Sequence, residues 1–359
     1  MKTSTVELRQ LTIPTTLDDP NATDFIEMIR VRNEVYQEIA GNDDDSVEAA
    51  AMLPAFQPDP DQQRTTWVAV VGDEFVGRVA VDLPLEDGST VAFWLIELLR
   101  KVHGQGIGSA GYRLVEEHAV ANGRSVLQSY ASHPEVAGPR LASPTGFGSI
   151  PEDRAARFYA RNGYTLEQIE RKSVLDLTTC GATVDALFEQ ARAASSQYEV
   201  VQWLLPTPDE HLADYAWMKS RMSTDAPSAA MEFDEEAWDE ERVRRADQRL
   251  LNGGWQVLVT AARHLDSGRL VAFNELAAPP GADRPTDQHD TLVLKEHRGH
   301  KLGLLVKTAG LQRWREVAPQ ATKVITYNAE ENRPMLDINE ALGFVPDSYG
   351  GGWKKTLAN

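Results

Sequence analysis

The chain reads as an α/β protein built from two similar halves, and three observations carry that reading. A short glycine-rich turn occurs twice, as His103-Gly104-Gln105-Gly106-Ile107-Gly108 and as Arg298-Gly299-His300-Lys301-Leu302-Gly303. Each copy follows an apolar stretch and opens an amphipathic helix. Each is followed downstream by a second helix that stops at Asn162-Gly163-Tyr164 or at Leu342-Gly343-Phe344. A turn of this kind aims several backbone N–H groups at one point. The helix dipole adds partial positive charge there, so the turn can hold an anion such as pyrophosphate.

The elements follow in order. In the first half, residues 5–11 predict a strand. Residues 22–40 predict a helix, because Phe25, Met28, Ile29, Val31, Val35 and Ile39 recur at helical spacing. The acidic loop Asn42-Asp43-Asp44-Asp45 follows. Residues 67–71 and 75–83 predict two strands joined at Gly72-Asp73, a hairpin signal. Residues 90–99 predict a strand that leads into the first turn. The helix after it stops at Asn122-Gly123, a C-cap signal. A strand at 126–130, a Gly/Pro/Ser-rich loop over 132–151, a helix over 152–162 and a strand over 164–177 complete this half. The second half repeats the order. It has a strand at 200–205, helices at 209–222 and 234–251, and hairpin strands at 255–263 and 269–277. A strand ending at 291–294, the second turn with its helix to about Val317, a strand at 323–327, a helix at 332–342 and a strand around Trp353 follow. The spacing between the two turns exceeds that between Gly163 and Gly343, and the surplus falls in the long first-half loop, where insertions are tolerated. The expected division is 1–180, a linker over 181–198 that contains a helical-looking 184–194, and 199–359.

Composition bounds the function. A chain of 359 residues is expected to form about two domains. With 42% hydrophobic and 25% charged residues it resembles a globular protein. Its apolar runs are strand-sized, too short to span a membrane. The start, MKTSTVELRQLTIPTT, lacks an apolar signal core. The single cysteine, Cys180, excludes an internal disulfide and fits a reducing cytoplasm. With no histidine partner nearby it reads as structural. A net charge of −18 argues against a nucleic-acid partner. Acidity serves solubility and also draws cationic ligands. The eight histidines show no H-x-x-x-H or H-E-x-x-H spacing, so no metal is expected.

The order of elements resembles the GNAT superfamily of N-acetyltransferases. A Q/R-x-x-G-x-G/A-type turn and a downstream N-x-x-A-x-x-x-Y-x-x-x-G-F/Y-type helix carry the resemblance. It covers nearly the whole chain as two tandem GNAT-like domains, similar to tandem proteins of actinobacteria and more distantly to mycothiol synthase. The resemblance implies two mixed, mostly antiparallel twisted sheets flanked by helices, with acetyl-CoA as acyl donor. It implies that His103, Gly104, Gln105, Gly106, Ile107 and Gly108 cradle its pyrophosphate, and that Arg298, Gly299, His300, Lys301, Leu302 and Gly303 do the same in the second copy. Lys301 replaces the middle glycine of the motif. It either adds a cation for phosphate or crowds the turn. Gly106-x-Gly108-x-x-Gly111 also fits a dinucleotide fingerprint. The acid which that fingerprint wants at the end of the next strand is missing, because Gln128-Ser129-Tyr130 stands there.

Acetyl transfer needs a neutral amine beside a thioester and a proton for the leaving thiolate. Following the family pattern, Tyr159 is the expected general acid of the first half, or else a core tyrosine. Glu97 is the acid on the strand before the turn, as base, water-holder or strand-end charge. In the second half Asn339 stands at the tyrosine position and cannot donate a proton in this way. Asp290 is the candidate base there, with His289 as the alternative proton acceptor. Asn332 either contacts the cofactor or caps its helix. Glu275, Tyr327, Asn328 and Asn339 are candidate substrate contacts. The expected function is transfer of an acetyl group to a primary amine of a small molecule, drawn as a cation by the acidity, through direct attack in a ternary complex. Cys180 lies outside both turns and offers no covalent route. The alternative is a catalytically silent acyl-CoA-binding or regulatory protein.

Overall fold

The computed structural model describes residues 6–225, 227–281 and 284–357. The first half runs β1 (Val6–Gln10), α1 (Ala22–Ala40), α2 (Ala49–Phe56), β2 (Gln62–Val71), β3 (Glu74–Pro84), β4 (Val91–Leu98), α3 (Ile107–Ala121), β5 (Val126–Ser132), β6 (Arg140–Ala142), β7 (Ser149–Pro151), α4 (Arg154–Arg161) and β8 (Thr165–Asp176). It continues through α5 (Gly181–Ala194) into β9 (Tyr198–Leu204), α6 (Asp209–Asp225), α7 (Glu240–Asn252), β10 (Gln256–His264), β11 (Leu270–Ala278) and β12 (Thr286–Val293). Then come α8 (Leu302–Val317), β13 (Lys323–Ala329), α9 (Arg333–Leu342) and β14 (Val345–Thr356). Most predicted elements appear within a few residues of their expected ends. Thr5, at the start of the first predicted strand, lies outside the described residues. The expected helix over 234–251 begins later, at Glu240, where Asp239 caps it by accepting from the Arg242 N–H. The short α2 and the β6–β7 hairpin within the long loop were not foreseen.

Twelve strands form one sheet in the order β1-β2-β3-β4-β5-β14-β8-β13-β12-β11-β10-β9. The sheet does not divide where the sequence halves divide. The last strand, β14, lies between β5 and β8, with Trp353 opposite Ser129 on β5. In return β8 pairs with β13 of the second half, from Glu170↔Ala329 to Asp176↔Lys323. Each half thus lends its final strand to the other. A run of three glycines makes the insertion possible. A Cβ on Gly351 would come within 2.8 Å of Trp353 Nε1 and 3.0 Å of Leu166 Cδ1.

The loops between the paired helices also cross over. Asp43, Asp44 and Asp45 of the first half face Arg284, Lys323 and Lys172 on the second-half side of the sheet. Reciprocally, the buried Gln128 on β5 clamps the backbone of Glu232, accepting from its N–H and donating to its carbonyl, each at 2.7 Å. Residues 181–194, expected as a linker, form α5, which buries Val184 and Ala191 against α8. Sandwiched between α5 and the sheet, α8 is apolar nearly all round: Leu302, Leu304, Leu305, Val306, Leu311 and Trp314 are all buried. Among the described residues no helix is long and apolar enough to cross a membrane.

Candidate active site

In each half one pair of neighbouring strands is parallel, and the pairing is brief. Beyond Phe93↔Gln128 strands β4 and β5 separate. Beyond Asp287↔Ile325 β12 and β13 do the same. Past that point one edge of each β4 and β12 has lost its ladder partner, so its backbone donors and acceptors are available to a ligand. The two halves use this gap differently.

In the first half the gap is open. A cleft of about 570 Å³ is lined by Leu95, Glu97, His103, Ser129, Tyr130 and Tyr159, among others. A second cavity of about 630 Å³ adjoins it, lined by Gly104, Gly106, Ile107, Gly108 and Ser109 of the turn. The two share Leu98, Gly108, Arg154, Phe158 and Arg161. Gly104 and Gly106 adopt φ of 81° and 84°, which side chains rarely tolerate, and nothing lies within 4 Å of a Cβ placed on either. The turn is therefore an open cradle at the start of α3. His103 is fixed beside it by a bond from Nε2 to the Leu98 carbonyl at 3.0 Å, and Gln105 donates to the Lys101 carbonyl.

Opposite the cradle, α4 presents Arg154, Arg157 and Arg161 to the same cavity. Among the described residues none of the three pairs with a carboxylate, in a chain of net charge −18. The i, i+3, i+7 spacing in Arg154-Ala155-Ala156-Arg157-Phe158-Tyr159-Ala160-Arg161 is legible in the sequence, yet only the fold shows that it faces the turn. Such a cradle with three uncompensated guanidiniums fits a polyphosphate.

Tyr159 lies on the same helix, 6% exposed, with its hydroxyl 2.7 Å from Ser129 Oγ on β5. Burial raises its pKa above the usual phenol value, so it stays protonated. Its ring stacks on Trp353 of the last strand at 4.8 Å. Trp353 Nε1 donates to His133 Nε2 at 3.2 Å, which leaves the proton on Nδ1 to face Asp153 at 3.1 Å. Asp153 in turn caps α4 by accepting from the Ala156 N–H. This chain locks α4, and Tyr159 with it, to β14. His133, Asp153 and Trp353 carry no sequence signal as a group, because β14 reaches the first half only through the exchange.

Glu97 lines the cleft but is not a free base. Arg78, itself buried, donates to both its oxygens at 2.6 and 3.0 Å. Both of its oxygens are thus engaged by the guanidinium rather than turned to an incoming amine.

The second half departs at several of the corresponding positions. Lys301 takes φ of 55° where the first turn has Gly106 at 84°, a left-handed conformation costly for a lysine. Gly299 keeps a positive φ, Arg298 lies 3.8 Å from Asp225, and the His300 carbonyl accepts from Ser195. Leu302 and Gly303 are buried. On α9, Asp337 stands where α4 has Arg157, and the one arginine there, Arg333, is tied to Asp337 and Glu340. The Lys307 ammonium, 0% exposed, donates to Asn339 at 2.7 Å, and Asn339 donates to Asn328 at 2.7 Å. These groups satisfy one another rather than presenting themselves to a ligand. Burial pushes the Lys307 pKa down to about 7.

Tyr327 reaches Asp45 at 3.3 Å. Asn332 takes the N-cap position but makes no side-chain cap bond. The candidate base Asp290 is not free: Lys219 Nζ lies 2.6 Å away and 3.1 Å from Glu275. Burial would raise the Asp290 pKa, but Lys219 outweighs it and holds the carboxyl below its usual range. His289 faces the Trp255 ring at 6.3 Å. No set of three or more His, Cys, Asp or Glu among the described residues is placed to hold a metal.

The comparisons with known proteins agree with this geometry. Residues 28–136, within the first half, match the family model described as acetyltransferase (GNAT) family. The whole chain has the tandem GNAT fold. A tandem GNAT protein from the clavulanic acid biosynthesis pathway superposes with a TM-score of 0.74 at 22% identity, covering 99% of each chain. A GCN5-related N-acetyltransferase from Sphaerobacter thermophilus gives 0.60 at 15% identity, covering 99% of this chain and 96% of its own. A putative acetyltransferase from Pyrococcus horikoshii gives 0.54 at 11%, covering 98% and 90%. No curated protein sequence matches the chain.

Proposed function

We propose that the first half transfers an acetyl group from acetyl-CoA to the primary amine of a small molecule by direct attack in a ternary complex, and that the second half is its scaffold. The observation that carries this reading is the continuous opening between β4 and β5, cradle and arginines at one end and Tyr159 at the other. When bound, acetyl-CoA supplies an activated thioester. The N–H groups at the start of α3, with Arg154, Arg157 and Arg161, hold its phosphates. The unpaired edge of β4 offers N–H groups to polarise a carbonyl in the gap. Tyr159, kept protonated and oriented by Ser129, delivers the proton that the departing sulfur needs. Glu97, neutralised by its pair with Arg78, walls the acceptor end. The amine attacks as the free base after giving its ammonium proton to water, and the C–N bond forms as the C–S bond breaks. The remaining surplus amine proton also leaves to water, while Tyr159 protonates the sulfur and is reprotonated from solvent.

Calorimetric titration with acetyl-CoA tests the reading on wild type, Gly108→Glu and Arg298→Ala. Saturable binding lost in Gly108→Glu and kept in Arg298→Ala is expected. Binding that survives Gly108→Glu rejects it. Binding without thiol release across a broad amine panel would instead favour an acyl-CoA-binding regulatory role.

A further inference from the structure

We infer that the second half contains a primary-ammonium site that the chain has filled with its own amine, Lys219. The Lys219 Nζ on α6 lies 2.6 Å from Asp290 Oδ2 and 3.1 Å from Glu275 Oε1. Three aromatic rings surround the same nitrogen, Trp238 at 5.4 Å, Phe273 at 5.6 Å and Tyr215 at 5.9 Å. Two carboxylates and three ring faces around one nitrogen are the recognition set for an ammonium ion.

The cage is also oriented independently of the lysine. The Tyr215 hydroxyl donates to Glu275, and the Asp290 N–H donates to Glu275 Oε2 at 3.2 Å. A small cavity of about 70 Å³ adjoins Lys219, Trp238, Glu275 and His289.

The place of the cage gives it meaning. β11, β12 and α6 repeat β3, β4 and α1, whose Ala80, Leu95 and Tyr36 line the open cleft of the first half. Asp290 is the fifth residue of its strand, as Leu95 is of its own. The cage therefore sits where, on the reading proposed above, the first half receives its acceptor. Its own occupant closes it to free amines, and the ligand class it fits is a short primary alkylammonium. This inference does not depend on turnover in the first half.

The test is thermal melting of Lys219→Ala in n-propylammonium chloride, against sodium chloride and tetramethylammonium chloride at equal ionic strength. The variant is expected to melt several degrees below wild type. Propylammonium should restore the loss saturably, the two control salts should not, and wild type should not respond. Lys219→Met, which keeps the volume of the stem and omits the ammonium, is melted in ammonium chloride against sodium chloride with the same expectation. Melting curves that neither amine moves beyond its salt control, or variants that no amine brings to a folded state, overturn the inference. Acetyl-CoA titration of the same samples reports on the first cleft alone, so the two readings fail separately.

Discussion

At the residue scale, one tyrosine and one lysine separate the two halves. Tyr159 is wedged between Ser129 and Trp353 and presents its hydroxyl from α4 to the first cleft. Tyr159→Phe is expected to lower kcat by about 10²-fold while leaving acetyl-CoA affinity and Tm nearly unchanged, as read by thiol release and calorimetry. An equal loss of affinity would move Tyr159 from proton donor to binding contact. In the second half Lys307 lies in the core with Asn339 as its one hydrogen-bond partner among the described residues. Its pKa is about 7 in the fold and in the usual lysine range once unfolded. Between those two values the unfolded chain binds a proton that the folded chain does not, so this group makes stability rise with pH through that window; below about pH 7 its penalty is fully present. Lys307→Met should therefore raise Tm at pH 6.5 and flatten the rise toward pH 10, in melts compared with wild type across that range. A wild-type and a variant profile of the same slope would show that the ammonium is not the cause.

At the element scale, α4 and α9 are the informative pair. They occupy the same place in the repeat, yet α4 turns toward its cradle three arginines that have no carboxylate partner among the described residues, and α9 puts Asp337 and an Arg333 paired within its own helix there. Arg157→Glu is expected to weaken acetyl-CoA binding by roughly tenfold or more, about 1.4 kcal/mol per tenfold. Arg333→Glu should leave binding unchanged, and calorimetry on both variants decides. The glycine turns, the helix stops at Gly163 and Gly343, and the repeat of elements were legible in the sequence because each rests on local chemistry: a left-handed backbone, a cap, a period. The Arg78–Glu97 and Lys219–Asp290 pairs were not legible, since both join residues brought together only by tertiary packing. Glu97 and Asp290 were visible as acids on the strands that precede the two turns, but their pairing with a cation was not. The strand partners of β8 and β14 were hidden for the same reason, as nothing in an alternating apolar pattern names the neighbour.

At the scale of the whole molecule, the exchange of β8 and β14 joins the halves through backbone hydrogen bonds rather than a side-chain interface alone. Trp353, buried in the first-half core, makes the last strand part of the first cleft. Trp353→Ala should cost roughly 3 to 5 kcal/mol in denaturant melts, and acetyl-CoA affinity should fall with it through the displaced α4. Gly351→Val should act likewise by forcing β14 off Leu166 and His133. A variant that keeps full affinity despite the lost stability would show that α4 holds its place without β14. The exchange also sets a timetable for synthesis. Residues 6–176 leave the ribosome before 345–356, so their sheet stays open beside β5, and the first-half cleft unfinished, until that later segment emerges.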